Sequence, residues 1–218
     1  ILLNRTVGLG TVNPIDPESL KEITDTYKRS GINSFFLHVY ESDMSDEARL
    51  RLLNVGLKKT RGWMKFHRDT SPPKDAPTDL RIEPVGPDKA KDFGRIVCNA
   101  FGMSDAAIPL LAGLCNDPRW HLFVSYDGDA PAGAGSLFIS ADKAWIEWGA
   151  TYPEFRSRGS QAAIMAARIA KARELGCTHI FTETGEAVEG DPQHSYKNIL
   201  KHGFVETRLR VNYEPENG

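Results

Sequence analysis

The spacing of apolar residues changes period several times along the chain, and each change marks an element. In residues 88–101, Ala90, Phe93, Ile96, Val97, Ala100 and Phe101 recur at helical spacing and predict an amphipathic helix. A short strand is expected before it at 80–85. A second helix is expected within 104–114, where Pro109 fits only the first turn. Residues 120–126 read as a strand, and Asp127-Gly128 punctuates a hairpin after it. The return strand is expected at 133–140 and a further strand at 144–151. Residues 158–175 predict a long helix that stops at Gly176. A strand at 179–184, a helix at 193–202 stopped by Gly203, and a closing strand at 204–213 complete the pattern. Helices and strands therefore mix without regular βαβ alternation, which predicts a mixed α+β fold.

The stretch at 69–77 contains three prolines and no large apolar residue, so it reads as a stiff, exposed linker. It divides the chain into residues 1–68 and 78–218. The shorter part repeats a pattern found in the longer one. Tyr27-Lys-Arg-Ser-Gly31-Ile-Asn-Ser-Phe parallels Ala172-Arg-Glu-Leu-Gly176-Cys-Thr-His-Ile, each a helix ending at glycine with a strand soon after. Leu53-Asn-Val-Gly56-Leu-Lys-Lys-Thr60-Arg61 likewise parallels Leu200-Lys-His-Gly203-Phe-Val-Glu-Thr207-Arg208. Residues 1–68 are thus expected to be a degenerate copy of the second half of the longer part. Chance similarity of two helix-strand-helix-strand units is the alternative.

Composition narrows the classes of function. With 218 residues, 40% of them hydrophobic and 26% charged, the chain is long enough for a real core and is neither disordered nor fibrous. A net charge of −2 offers no basic field for nucleic acid. Cys98, Cys115 and Cys177 are odd in number and form no Cys-x-x-Cys pair, which indicates neither a disulfide framework nor a metal site and suits the reducing cytoplasm. The longest apolar run, around 108–115, falls far short of the ~20 residues of a membrane span. Ile1-Leu2-Leu3 is too short for a secretory h-region. Gly8-Leu-Gly10 lacks the third glycine of a dinucleotide fingerprint, and no nucleophile elbow, Walker loop or His-Glu-x-x-His occurs. His121 and His179 read as strand residues, and Trp63, Trp120, Trp145 and Trp148 as core or cleft wall.

Chemistry concentrates at Thr151-Tyr-Pro-Glu-Phe-Arg156-Ser157-Arg158-Gly159-Ser160-Gln161, where a strand ends and an alanine-rich helix begins. The first amides of a helix have no intrahelical partners and lie at the positive end of its dipole, so an anion belongs there. Gly159 would let a phosphate approach the backbone, and Arg156 or Arg158 would add charge-assisted hydrogen bonds. Ala162, Ala163, Ala166, Ala167 and Ala170 would let the helix lie close on the sheet. The competing reading is an ordinary strand-to-helix turn with solvated arginines.

Over residues 78–213 the chain resembles the GCN5-related N-acetyltransferase (GNAT) superfamily, whose acetyl-CoA loop has the pattern Arg/Gln-x-x-Gly-x-Gly/Ala. Arg156-x-x-Gly159-x-Gln161 matches the first two fixed positions and departs at the third. The Pro153-Glu-Phe-Arg strand exit and the closing helix that runs into Gly203-Phe204 are similar too. The resemblance implies a GNAT-type mixed central sheet and direct transfer of acetyl from acetyl-CoA to a small-molecule or peptide amine, with neither nucleic acid nor membrane as partner. It also implies that pantetheine pairs with Gly149, Ala150 and Thr151, that pyrophosphate sits on the amides of 157–161, and that Gln193, Ser195 and Asn198 line the cofactor.

For the base, Glu147 is the only carboxylate on its strand. Period-two alternation would put it on one face with Gly149 and Thr151. The family's acid, a tyrosine four residues before the Gly-Phe pair, is replaced here by Ile199, and Tyr196 one turn earlier is the candidate substitute. The acceptor is expected between Gly102-Met103-Ser104, the face that carries Glu147, and the N-terminal segment as a third candidate wall. The changes at Ile199 and Gln161 also motivate a second reading, a non-catalytic acyl-CoA-binding or protein-interaction module. A homodimer is compatible with either.

Overall fold

The computed structural model describes residues 3–216. By contact these fall into two compact units, neither of them continuous in sequence. The first contains the chain up to Lys65, Thr184–Pro192, and the chain from Thr207 onward; the second contains Phe66–Glu183 and Gln193–Glu206.

In the first unit, β1 (Arg5–Thr6) runs parallel to β2 (Phe36–Tyr40), and β2 runs antiparallel to β9 (Val205–Pro215). Helix α1 (Pro17–Arg29) starts where Asp16 accepts the Ser19 amide at 2.7 Å, with Pro17 supplying a helical φ at N1. Helix α2 (Asp46–Asn54) starts at Ser45, whose hydroxyl accepts the Ala48 amide at 3.1 Å. It leads into β3 (Leu57–Asp69). Alternation along the strands sends Leu37, Val39, Val211 and Tyr213 into a core shared with Leu20 and Leu52 of the helices.

The second unit is an α+β layer structure. Strand β4 (Arg81–Val85) pairs antiparallel with β5 (Trp120–Asp127), β5 with β6 (Ala130–Ser140), and β6 with β7 (Lys143–Thr151). The last pair, β7 with β8 (His179–Gly185), is parallel, so the sheet is mixed, as the family resemblance implies. Helix α3 (Ala90–Phe101) buries Phe93, Ile96 and Val97 against Leu122, Val124, Ala134 and Ala150. Helix α5 (Ser160–Glu174) also packs on β6 and β7, and α6 (His194–Lys201) is the short helix before β9.

Two predicted elements differ in detail. The helix expected within 104–114 is broken into a 3₁₀ turn at Asp105–Ala107, α4 at Ile108–Ala112, and a second 3₁₀ turn at Gly113–Asn116. The Ser104 hydroxyl accepts the Ala106 amide and starts the first turn, and Pro109 occupies the first turn of α4, where its missing N–H costs nothing. Strand β6 begins three residues earlier than expected. Ala130 and Pro131 pair with Asp127 and Tyr126 across the hairpin, and a register shift at Ser125/Tyr126 absorbs the irregularity.

The sequence parallel is matched by local geometry. The run α1-β2-α2-β3 has the order of α5-β8-α6-β9. The four glycines that mark it, Gly31, Gly56, Gly176 and Gly203, all have positive φ, between 68° and 81°. The Ile32 amide bonds Tyr27 O at 2.9 Å, and the Cys177 amide bonds Ala172 O at 3.0 Å, so α1 and α5 end in the same six-to-one turn.

His202 lies at the end of α6, 1% exposed, with neither ring nitrogen hydrogen-bonded. Burial, reinforced by Arg68, Lys201, Arg168 and Lys74, lowers its pKa from 6.5 to about 4. Because the unfolded ring takes up a proton that the folded ring refuses, this histidine subtracts stability as pH falls from 6.5 towards 4. His202→Leu is therefore expected to lose less stability than the wild type between pH 7 and pH 4.5, measured by urea unfolding; parallel losses would contradict this.

Candidate functional site

The end of β7, the loop that follows it, and the start of α5 form one continuous device. Tyr152 donates its amide to Ala132 O at 2.9 Å, a 3₁₀ turn at Pro153–Phe155 redirects the chain, and Ser157 and Gly159 take positive φ of 63° and 82°. A side chain at Gly159 would strike Pro77 O at 2.6 Å, so glycine here serves both conformation and space. The Thr78 hydroxyl donates to Arg158 O at 2.7 Å, which ties the residue just after the expected linker to the loop.

The first intrahelical bond of α5 runs from the Ala163 amide to Gly159 O, and no side chain caps the helix. The amides of Ser160, Gln161 and Ala162 therefore point out of the helix start without helical partners. Below them, buried Ser160 shares a 2.8 Å hydrogen bond with Ser125 on β5, and Gly133 leaves just enough room for that pair.

The two arginines of the loop have different roles. Arg158 is clamped between Asp79 and Asp127, with Nη1 donating to Asp127 at 2.7 Å and Nη2 also bonding Asp79. Hydrogen bonds from Arg158 hold both carboxyls below their usual pKa. Its side chain braces the loop. Arg156 is exposed and makes no ion pair among the described residues.

Strand β7 does not alternate as its sequence suggests. Glu147 stands opposite Ser136 and Ala150 opposite Ala134, so Trp148 and Gly149 face the single residue Gly135. This is a β-bulge, with Trp148 at φ 54°. Cross-strand partners share a face, so Glu147 lies on the face of Ala150, while Thr151, opposite Gly133, lies on the other. The expected grouping of Glu147 with Gly149 and Thr151 is thereby corrected: one extra residue reverses the parity of everything after it. Trp148 turns edge-on to Phe101 of α3, ring centroids 5.5 Å apart, and packs with Met103 against the core cluster under α3.

The other sequence candidates divide into two groups. Gln161 Nε2 donates to Ser195 Oγ at 3.2 Å, so the helix starts of α5 and α6 meet through these two side chains. Gln193 is the N-cap of α6, in a left-handed conformation. Asn198 Nδ2 and Thr151 Oγ1 are buried without a hydrogen-bond partner. Tyr196, by contrast, is 7% exposed, packs edge-on against Phe66 with centroids 4.9 Å apart, and hydrogen-bonds Glu206. Burial, then that bond, pushes its pKa up to about 12. Ile199 is buried beside it on α6.

One residue escaped the sequence reading. Arg168 of α5 is fully buried and donates Nη1 to Glu147 O at 3.0 Å and to Ser136 O at 3.3 Å, and Nε to Ile164 O at 3.2 Å. Burial lowers its pKa to about 9, which still leaves it charged at neutral pH. The available signal was an arginine four residues after Ile164, on the apolar face of the helix. Among the described residues no cluster of metal-ligating side chains occurs, no helix is long and apolar enough to cross a membrane, and the three cysteines are free.

The model of the acetyltransferase (GNAT) family matches residues 95–202. No curated protein sequence matches the chain. Among solved structures, a GCN5-related N-acetyltransferase from Kribbella flavida has a TM-score of 0.70 at 12% identity, over 93% of this chain and 76% of that one. A tandem GNAT protein from the clavulanic acid biosynthesis pathway has a TM-score of 0.62 at 12% identity, over 91% and 69%. AAC(6')-Iy, in complex with the bisubstrate analog CoA-S-monomethyl-acetylneamine, has 0.52 at 17%, over 60% of this chain and 94% of that one. At these identities the likeness establishes the fold.

The packing beneath the loop is tight enough to test. A Cβ at Gly133 would meet both serine hydroxyls and Ala150 O. Gly133→Ala is expected to destabilise by about 1–3 kcal/mol in urea unfolding. Gly113→Ala, where the nearest atom is 4.0 Å away, should stay near wild type. Equal effects would show that the Ser125–Ser160 contact does not constrain the site.

Proposed function

Residues 95–202 belong to the acetyltransferase (GNAT) family, and from that premise we propose that the protein transfers acetyl from acetyl-CoA to a primary amine of a small molecule or peptide. The observation that carries the reading is the start of α5. A left-handed glycine, three helix amides without helical partners and exposed Arg156 together make a diphosphate cradle. Thr151 Oγ1 and Asn198 Nδ2, buried and unpartnered, are polar groups that a bound pantetheine amide would satisfy.

In this reading the amides of Ser157, Arg158, Gly159, Ser160 and Gln161 hold the pyrophosphate, with Arg156 adding charge. Gly149, Ala150 and Thr151 pair with the pantetheine arm, and Gln193, Ser195 and Asn198 line its other side. Bound acetyl-CoA supplies a thioester: the amine nitrogen forms the new C–N bond as the C–S bond breaks and sulfur leaves with the electron pair. Glu147 accepts the proton that the amine must lose. Tyr196 was the candidate to protonate the departing thiolate, but its bond to Glu206 and its packing on Phe66 favour a structural role. The acceptor enters beside Met103 and Trp148, which border the same core cluster.

Residues 1–68 are read as a degenerate half-copy joined through 69–77 to the acetyltransferase domain at 78–218. The repeated element order and matched glycine turns support this, as does the coverage of a tandem GNAT protein. The segment before α1 has no counterpart of the 156–161 loop, so one cofactor per chain is expected. Three free cysteines suit a cytoplasmic enzyme.

Acetyl-CoA with a panel of amines tests the proposal by thiol release and by a 42 Da gain on the acceptor, a value fixed by acetyl chemistry. Gly159→Glu should abolish stabilisation by CoA. Glu147→Gln should lower kcat by about 10²-fold and remove the ascending limb of its pH profile; an unchanged profile eliminates Glu147 as base. CoA binding without thiol release from any amine would instead favour the non-catalytic acyl-CoA-binding module. No stabilisation by CoA would overturn both.

A further inference from the structure

A buried arginine normally faces a carboxylate, because an uncompensated charge away from water is costly. Arg168 has none. Its guanidinium is surrounded by the carbonyl oxygens of Ser136, Glu147 and Ile164 and by Met165 Sδ. Two of those carbonyls belong to the strands on either side of the β6–β7 bulge, and the third belongs to its own helix.

Two glycines make the space. A Cβ at Gly135, the residue opposite the bulge, would lie 2.8 Å from Arg168 Cζ and 2.6 Å from Ile164 Cγ2. A Cβ at Gly149, within the bulge, would lie 3.7 Å from Arg168 Nη2. The Ser136 hydroxyl donates to the same Glu147 oxygen at 3.1 Å, so that carbonyl is gripped by two side chains.

We propose that Arg168 is a positioning residue for acyl transfer, holding the Glu147–Trp148 peptide in its bulged conformation and polarising it. This rests on the acetyltransferase reading above. A charged donor on a carbonyl draws electron density through the peptide and strengthens the N–H on its other side as a donor. Here that N–H belongs to Trp148, the residue at positive φ with no partner in register on β6. The polarised amide would face negative charge developing on the thioester oxygen. The same grip sets the face on which Glu147 emerges. Arg168 thus acts from beneath the sheet on both the electrophile and the base without touching either reactant.

Arg168→Lys, which keeps a charge but loses the fork, and Arg168→Met, which loses both, test the idea. Ile169→Val, a buried apolar change at the neighbouring position of the same helix, controls for stability. Amide and Cα resonances of Trp148 and Gly149 read the bulge directly, without activity. They are expected to move in Arg168→Met and to stay in place in Ile169→Val. In the acetyl-transfer assay, both arginine variants should lose about tenfold or more in kcat, with KM for acetyl-CoA little changed and Lys retaining more activity than Met. Unchanged Trp148 and Gly149 resonances in Arg168→Met would overturn the role of Arg168. So would a kcat loss no greater than that of a control matched in thermal stability. Wild-type protein that releases no thiol would overturn the acetyltransferase reading instead, whatever the resonances show.

Discussion

One extra residue in β7 is the constraint on which the site depends. Without it, Glu147 and Thr151 would share a face and the strand would pair with β6 along its whole length. With it, Trp148 turns to Phe101, Glu147 joins the face of Ala150, and Gly135 is left opposite two residues. Such a kink cannot persist with its polar groups unsatisfied in a buried sheet. Arg168 and Ser136 meet that demand at the Glu147 carbonyl, and Gly135 meets the demand for space. Arginine, glycine and bulge therefore form one unit, and a change in any of them reaches the others.

The loop before α5 follows a similar logic. The start of α5 leaves its amides open because neighbouring side chains do the holding elsewhere: Ser125 and Ser160 pin the helix to β5, Thr78 anchors Arg158 O, and Asp79 and Asp127 grip the Arg158 guanidinium. A loop fixed from behind presents its amides without having to reorganise, which is the arrangement that anion binding rewards. Arg158 contributes rigidity and Arg156 charge, a division that the near-symmetry of Arg156-Ser-Arg158 conceals.

Element types were legible wherever periodicity was strong. The amphipathic stripe of α3, the alternation of β5 and the glycine stops at Gly176 and Gly203 all have local causes, and each occurs where the pattern puts it, while the hairpin turn sits one residue later than expected, at Gly128-Asp129. The helix start after Gly159 was legible for the same reason: glycine before an alanine-rich run is written in consecutive residues. The broken helix at 105–116 was only half legible, since Pro109 warned of trouble without showing that two 3₁₀ turns would flank a single helical segment.

By itself, then, the sequence determined the α+β order, the repeated helix-strand units and the position of the loop from β7 into α5, because these arise from contacts between residues close in the chain. Tertiary structure alone decided which face Glu147 occupies, which arginine is free, whether Tyr196 is buried, and that Arg168 underlies the bulge. Each of these turns on a partner far away in sequence: Ser136 for Glu147, Asp79 for Arg158, Phe66 for Tyr196, Gly135 for Arg168. A one-residue register shift leaves no trace in hydrophobic periodicity, yet it reverses the side of the sheet on which every later side chain emerges.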